Sequence, residues 1–140
     1  MSVYLDASVL VALLTVDALT ARADAFFRAN TPVLIVSDFA AAEFASAVAR
    51  RVRTGSITAD EARSGFSAFD AWTAQATLRE ETMTADIRAA EAFLRRLDLS
   101  LRTADALNIA IAPRLRAELV TFDRRMEASA RLLGIAVVAA

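Results

Sequence analysis

The chain has no cysteine, no histidine and no lysine. Without cysteine it can form no disulfide, no thiolate nucleophile and no zinc–thiolate site, which suits a reducing compartment. Without histidine it has no imidazole base, so Ser-His-Asp hydrolysis and two-histidine cleavage through a ribose hydroxyl are both closed. The hydrolytic chemistry that remains runs on carboxylates and metal ions. The missing lysine excludes two further classes, the aspartyl-phosphate phosphatases and the phospho-receiver modules. Both set an aspartate after a first strand and need a lysine later, and the phosphatases want a second aspartate where this chain has Ser8. No stretch is long enough to span a membrane. The apolar run from Val9 to Leu14 is too short for a signal peptide and lacks a basic leader, so the expected location is the cytoplasm.

All sixteen basic residues are arginine, the better bidentate partner for phosphate and carboxylate, and seventeen acids bring the net charge to -1. No overall basic field therefore pulls the protein onto nucleic acid. At 140 residues, 56% hydrophobic and 24% charged, the chain reads as one domain spanning residues 1–140 with a full core. A chain of this size buries about two-thirds of its unfolded surface and needs no staples.

Strands alternate with helices or helix pairs from end to end. Val3, Tyr4 and Leu5 form a short apolar strand stopped by Asp6, and a helical pattern runs from Ala7 to Leu14. A second helix covers Ala18 to Arg28, and Asn30-Thr31-Pro32 breaks it. Val33 to Val36 reads as a strand covered on both faces. Ser37 caps a helix from Asp38 to Arg53 that ends at Gly55, and Thr58-Ala59-Asp60-Glu61 is a capping box opening another to about Thr73. A partly exposed strand lies within Ala76 to Thr82, and a helix runs from Ala85 to Leu97. Arg102-Thr103 opens the next helix, which Pro113 must kink or shorten near its end. Leu119 to Phe122 is a strand stopped by Asp123, followed by a helix from Arg124 to Leu133 and a last strand, Ile135 to Val138. The pattern predicts a three-layer α/β/α sandwich with a mainly parallel central sheet and right-handed crossovers.

Four acids stand against small or apolar neighbours: Asp6 and Asp123, each ending a strand, Glu43 one turn into the helix after the second strand, and Asp105 in the first turn of its helix. Each alone could be a cap or a solvated helix residue. In a parallel sheet, however, strand ends and the helix starts that follow them share one edge, where such sheets place their ligands. Two carboxylates ~6 Å apart at an effective dielectric of ~20 repel by roughly 3 kcal/mol. Six such pairs would consume about a whole domain's stability. Divalent cations relieve that repulsion, and hard oxygen ligands suit Mg²⁺ or Mn²⁺.

The blocks Leu5-Asp6-Ala7-Ser8-Val9-Leu10, then Glu43, then Leu101-Arg102-Thr103-Ala104-Asp105-Ala106-Leu107-Asn108, then Thr121-Phe122-Asp123-Arg124-Arg125 resemble the PIN-domain ribonucleases. More narrowly they resemble the VapC toxins of type II toxin–antitoxin pairs. The resemblance implies a Mg²⁺- or Mn²⁺-dependent endoribonuclease that cleaves RNA phosphodiester bonds, folds as a homodimer and is silenced by a VapB-type antitoxin. It implies Asp6, Glu43, Asp105 and Asp123 as the catalytic, metal-binding acids, with Asp6 and Asp105 the foremost ligands. Ser8 and Thr121 match supporting hydroxyl positions, and Asn108 stands where a histidine is common. Arg102 and Asn108 are candidate substrate contacts. A non-toxin RNA-processing nuclease and a non-cleaving partner-binding domain are the alternatives.

Arg50, Arg51 and Arg53 either hold RNA phosphates or complement a helix end, the latter favoured for Arg53. Phe66, Phe69 and Trp72 recur three apart, a core stripe unless part of it faces a partner, and Asp86 reads as a capping-turn residue.

Overall fold

A computed structural model describes residues 1–138. The elements run β1 (Ser2–Leu5), α1 (Ala7–Leu14), α2 (Thr20–Ala29), β2 (Val33–Ser37), α3 (Asp38–Arg53), α4 (Ala59–Ala76), β3 (Thr77–Glu80), α5 (Thr84–Leu94), α6 (Thr103–Arg114), β4 (Glu118–Val120) and α7 (Arg124–Leu132). The sheet order is β3-β2-β1-β4 and every pairing is parallel. Chain order and sheet order differ because β1 takes the centre and the chain winds outwards on either side of it.

Alternation along the strands builds two cores. Tyr4, Ile35 and Leu119 face one, with Ala90 of α5, the buried run of α6, and Met126 and Ala130 of α7. Val3, Leu5, Val36 and Val120 face the other, with side chains of α1 to α4. That period-two division makes the three layers expected from the sequence. Phe69 stacks on Phe44 at 4.6 Å and Phe66 meets the same ring edge-on at 6.3 Å. With Trp72 partly buried against the same cluster, the aromatic stripe is core.

Helix α6 is buried at every position from Ala106 to Ala112, Asn108 included. Pro113 sits in its last turn, and the helix stops one residue later; Arg116, at φ 53, closes the turn. The Thr58 capping box is present, with Glu61 N–H donating to the Thr58 hydroxyl and Thr58 N–H to the Glu61 carboxylate. Asp86 accepts from Met83 N–H at 2.8 Å, the capping role expected of it, and also takes the Arg114 guanidinium at 2.6 Å. No helix among the described residues is long and apolar enough to cross a membrane.

Several boundaries differ from expectation: the second helix starts at Thr20 rather than Ala18, and the strand expected at Leu119–Phe122 is Glu118–Val120. The helix expected over Ala85–Leu97 ends at Leu94: Arg96 N–H and Leu97 N–H bond back to Phe93 and Leu94 C=O in a tight turn, and Leu97 leaves it at φ 67. The final strand, Ile135–Val138, reduces to one parallel bridge between Leu119 and Val137, held by Leu119 N–H to Ala136 C=O and Val138 N–H to Leu119 C=O. Its neighbour β4 has only three residues, which leaves little ladder to extend.

Candidate active site

The sheet's register creates the site. Leu5 pairs with Val120, and Asp6 N–H donates to Val120 C=O at 3.3 Å, so the residues after β1 and β4 lie side by side at one sheet edge. Asp6 is 2% exposed. One of its oxygens accepts from the Ser8 hydroxyl at 2.6 Å and from Val9 N–H at 3.2 Å, so it also caps α1; the other accepts from the Thr121 hydroxyl at 2.6 Å. Both hydroxyls work twice. Ser8 Oγ accepts from Phe122 N–H at 3.0 Å and Thr121 Oγ1 from Asp123 N–H at 3.0 Å. Ser8 and Thr121 therefore tie the buried carboxylate to the loop that carries Asp123.

Asp123 is exposed and caps α7, one oxygen accepting from Arg125 N–H at 2.9 Å and Met126 N–H at 3.1 Å. Asp105 accepts from Arg102 N–H at 3.1 Å across the first turn of α6. The capping roles anticipated for these acids are thus present, and they do not remove the acids from the cleft. A cleft of about 640 Å³ is lined by Glu43, Asp105 and Asp123 together with Arg102, Ala104, Arg124 and Arg125. Asp6 is buried near it, close enough for its charge to act on Glu43 and for that of Asp123 to act on Asp6. As the side chains stand, no group of three or more His, Cys, Asp or Glu among the described residues forms a ready-made ion cage.

Electrostatics sets the character of these acids. Burial, with a smaller contribution from the Asp123 charge, pushes the Asp6 carboxyl from 3.8 to about 6 against the pull of its three hydrogen-bond donors. Burial, followed by the charges of Asp6 and Asp105, pushes Glu43 from 4.5 to about 7, opposed by the Asn108 amide. All four acids offer hard oxygen, and two of them gain by acquiring a positive neighbour. On donor chemistry and charge, the set fits a magnesium or manganese ion.

Asn108 is 1% exposed and spends its whole amide inside the protein. Its NH₂ donates to Glu43 at 2.7 Å and to Ala104 C=O at 3.1 Å, and its carbonyl oxygen accepts from the Tyr4 hydroxyl at 2.6 Å. Because a backbone carbonyl only accepts, the atom facing Ala104 must be the nitrogen. That fixes the chain of donors. Tyr4 gives its proton to Asn108, so Ser37 donates to Tyr4 across 2.7 Å while itself accepting from Ala40 N–H. Glu43 is therefore held from beneath by a buried relay that begins at the end of β2. Burial raises the Tyr4 hydroxyl above its usual range and keeps it a donor.

In the sequence Tyr4 reads as an apolar strand member, with no role in the site. The available signal was its polar tip, which needs a partner once buried. Asn108→Ala leaves both Glu43 and Tyr4 short of a buried partner and is expected to cost about 2 kcal/mol in urea unfolding. An unchanged midpoint would contradict the relay.

The three-layer parallel α/β/α fold makes this an open-sheet α/β protein, with an acid-lined cleft at the sheet edge where such sheets place their ligands. The chain belongs to the PIN domain family, whose model matches residues 3–132. Among solved structures it is similar to Mycobacterium tuberculosis VapC20, a toxin that cleaves the sarcin-ricin loop, at 20% identity and TM-score 0.76, covering 98% of each chain. It is similar to VapBC2 from Rickettsia felis bound to a promoter DNA fragment, at 15% identity and TM-score 0.71, covering 99% of this chain and 98% of that one. A toxin–antitoxin complex from Klebsiella pneumoniae matches at 18% identity and TM-score 0.61 over 86% of this chain and 85% of that one. No curated protein matches the chain.

Proposed function

We propose that the protein is a Mg²⁺- or Mn²⁺-dependent endoribonuclease acting as the toxin of a toxin–antitoxin pair. The observation that carries this reading is the convergence of acids from four separate segments: Glu43, Asp105 and Asp123 line one cleft, with Asp6 buried near it. Membership of the PIN family and the likeness to VapC-type structures support it. Asp6, Glu43, Asp105 and Asp123 are the residues that would hold the ion, Asp6 and Asp105 foremost. A divalent ion there supplies the positive charge that phosphodiester hydrolysis by water needs at neutral pH.

The chain's own side chains do the rest. Ser8 and Thr121 keep the Asp6 carboxylate fixed and aimed. Asn108 holds one Glu43 oxygen and leaves the other for the cleft. Arg102 lies beside Glu43 and Asp105, where a guanidinium meets a phosphate oxygen well. The working assembly in this reading is a cytoplasmic homodimer silenced by a VapB-type antitoxin; the toxin–antitoxin complexes among its structural neighbours support the antitoxin alone. The test is cleavage of end-labelled RNA by the purified chain with Mg²⁺ or Mn²⁺ and after EDTA. Internal cuts that need the ion are expected; cutting that survives EDTA would overturn the metal-dependent reading.

A further inference from the structure

Tyr4 is wholly buried in the core that β1 shares with α6. A phenylalanine would fill that place with no hydroxyl to satisfy, and a buried hydroxyl costs free energy unless it is bonded. The Tyr4 hydroxyl accepts from Ser37 at 2.7 Å and donates to Asn108 at 2.6 Å, and Asn108 in turn donates to Glu43 at 2.7 Å. This chain of bonds starts at Ser37, the N-cap of α3, crosses β1 and α6, and returns to α3 at Glu43. It closes a ring through three elements, so it sets how α3 is turned about its axis as well as where Glu43 points. Glu43 has a competing environment. It is half-buried and lines a hollow of about 770 Å³ together with Arg50, Arg51, Arg53 and Arg102. Among the described residues it forms an ion pair with none of them. A flexible glutamate with guanidinium groups at hand pairs with one of them unless something holds it.

We propose that Tyr4 and Ser37 are positioning residues for Glu43. Through Asn108 they hold its carboxylate among the acids of the cleft and off the arginines of the neighbouring hollow. Neither residue lines the cleft, so both act from behind. The inference rests on the nuclease reading, in which Glu43 helps to hold a divalent ion, and deepens it by carrying the site into the core beneath β1. The Tyr4 hydroxyl settles the Asn108 amide. With Tyr4 donating to the carbonyl oxygen, the nitrogen faces Glu43 and Ala104 C=O. Without that hydroxyl the buried oxygen has no donor, and the amide loses the contact that keeps its nitrogen under Glu43.

The test is a double-mutant cycle on the full chain, followed first without any ion. Tyr4→Phe should lower the urea midpoint in the native background, and by less beside Glu43→Ala, where the freed amide can turn to other partners. Mn²⁺ is then titrated into each protein by calorimetry. Tyr4→Phe and Ser37→Ala should bind it about tenfold more weakly than the wild type. Ser37→Ala also removes the α3 cap, so Tyr4→Phe, which leaves that cap in place, is the deciding variant. Thr73→Val takes a buried hydroxyl from α4 outside the cleft and should bind Mn²⁺ as the wild type does. In RNA cleavage under Mg²⁺, Tyr4→Phe should lower kcat about tenfold and leave KM near the wild-type value. Equal losses of stability in both backgrounds, unchanged Mn²⁺ affinity in Tyr4→Phe, or an equal weakening in Thr73→Val would overturn the positioning role. The expected coupling and Mn²⁺ affinities with no RNA cut by the wild type would instead keep that role and defeat the nuclease reading.

Discussion

Asp6→Asn should lower ion-dependent RNA cleavage by about a thousandfold while the fold survives, on the scale seen when one preorganised charged contact is removed from an active site. The size follows from where Asp6 sits. It is the most buried of the four acids, is aimed by two hydroxyls, and lies between the segments that carry Glu43 and Asp123. The tolerance follows from the same contacts. An asparagine carbonyl can still accept from Ser8 and Val9, and its NH₂ can donate to Thr121, whose hydroxyl has a lone pair to spare beside the one taken by Asp123 N–H. Replacing a buried charge by a neutral amide also relieves desolvation. Thermal unfolding of the variant should therefore lie within a few degrees of the wild type. Equal cutting by both proteins would remove Asp6 from the chemistry. A collapse of stability would assign it to capping α1 instead.

The ion-free protein should lose stability as the pH rises from 5 to 8, the reverse of what a carboxylate in a salt bridge produces. Asp6 at about 6 and Glu43 at about 7 both lie above their unfolded values of 3.8 and 4.5. Between those limits the folded protein holds protons that the unfolded chain has released. Stability then falls with pH: the benefit is complete below about pH 4 and gone above about pH 7. Discounting Glu43 for its partial exposure, the two groups are worth about 3 kcal/mol between pH 5 and pH 8, or roughly 10 °C in melting temperature. Manganese should reverse the trend, because the ion replaces the protons and competes best where they are scarce. Calorimetric melting at several pH values, with and without Mn²⁺, checks it. A flat or rising profile without the ion would show that the two carboxyls titrate normally.

Much of this arrangement was legible in the residues because parallel strands leave few choices. Once Val3-Tyr4-Leu5 and Leu119-Val120 read as buried strands, Asp6 and Asp123 had to fall at one edge, and a helix beginning after Val36 had to bring Glu43 towards it. What stayed hidden depended on facing. Helix α6 is buried all round from Ala106 to Ala112, so its sequence marks no single inward face, and the Asn108 amide turns inward to Glu43 and Tyr4. Ile135-Ala136-Val137-Val138 has strand composition but forms a single bridge, because the extent of pairing is set by its three-residue neighbour. The pairing of Arg51 with Asp17, and the placement of Arg124 and Arg125 along the acid-lined cleft, required the fold.

The central claim is that these acids form a pocket for a divalent ion, and titration calorimetry of Mn²⁺ into the ion-free chain tests it most directly. Saturable binding to wild type, weakening as the pH is lowered from 8 to 5 and lost in Asp6→Asn, is the predicted result. No binding, or binding of equal strength in the variant, would contradict it.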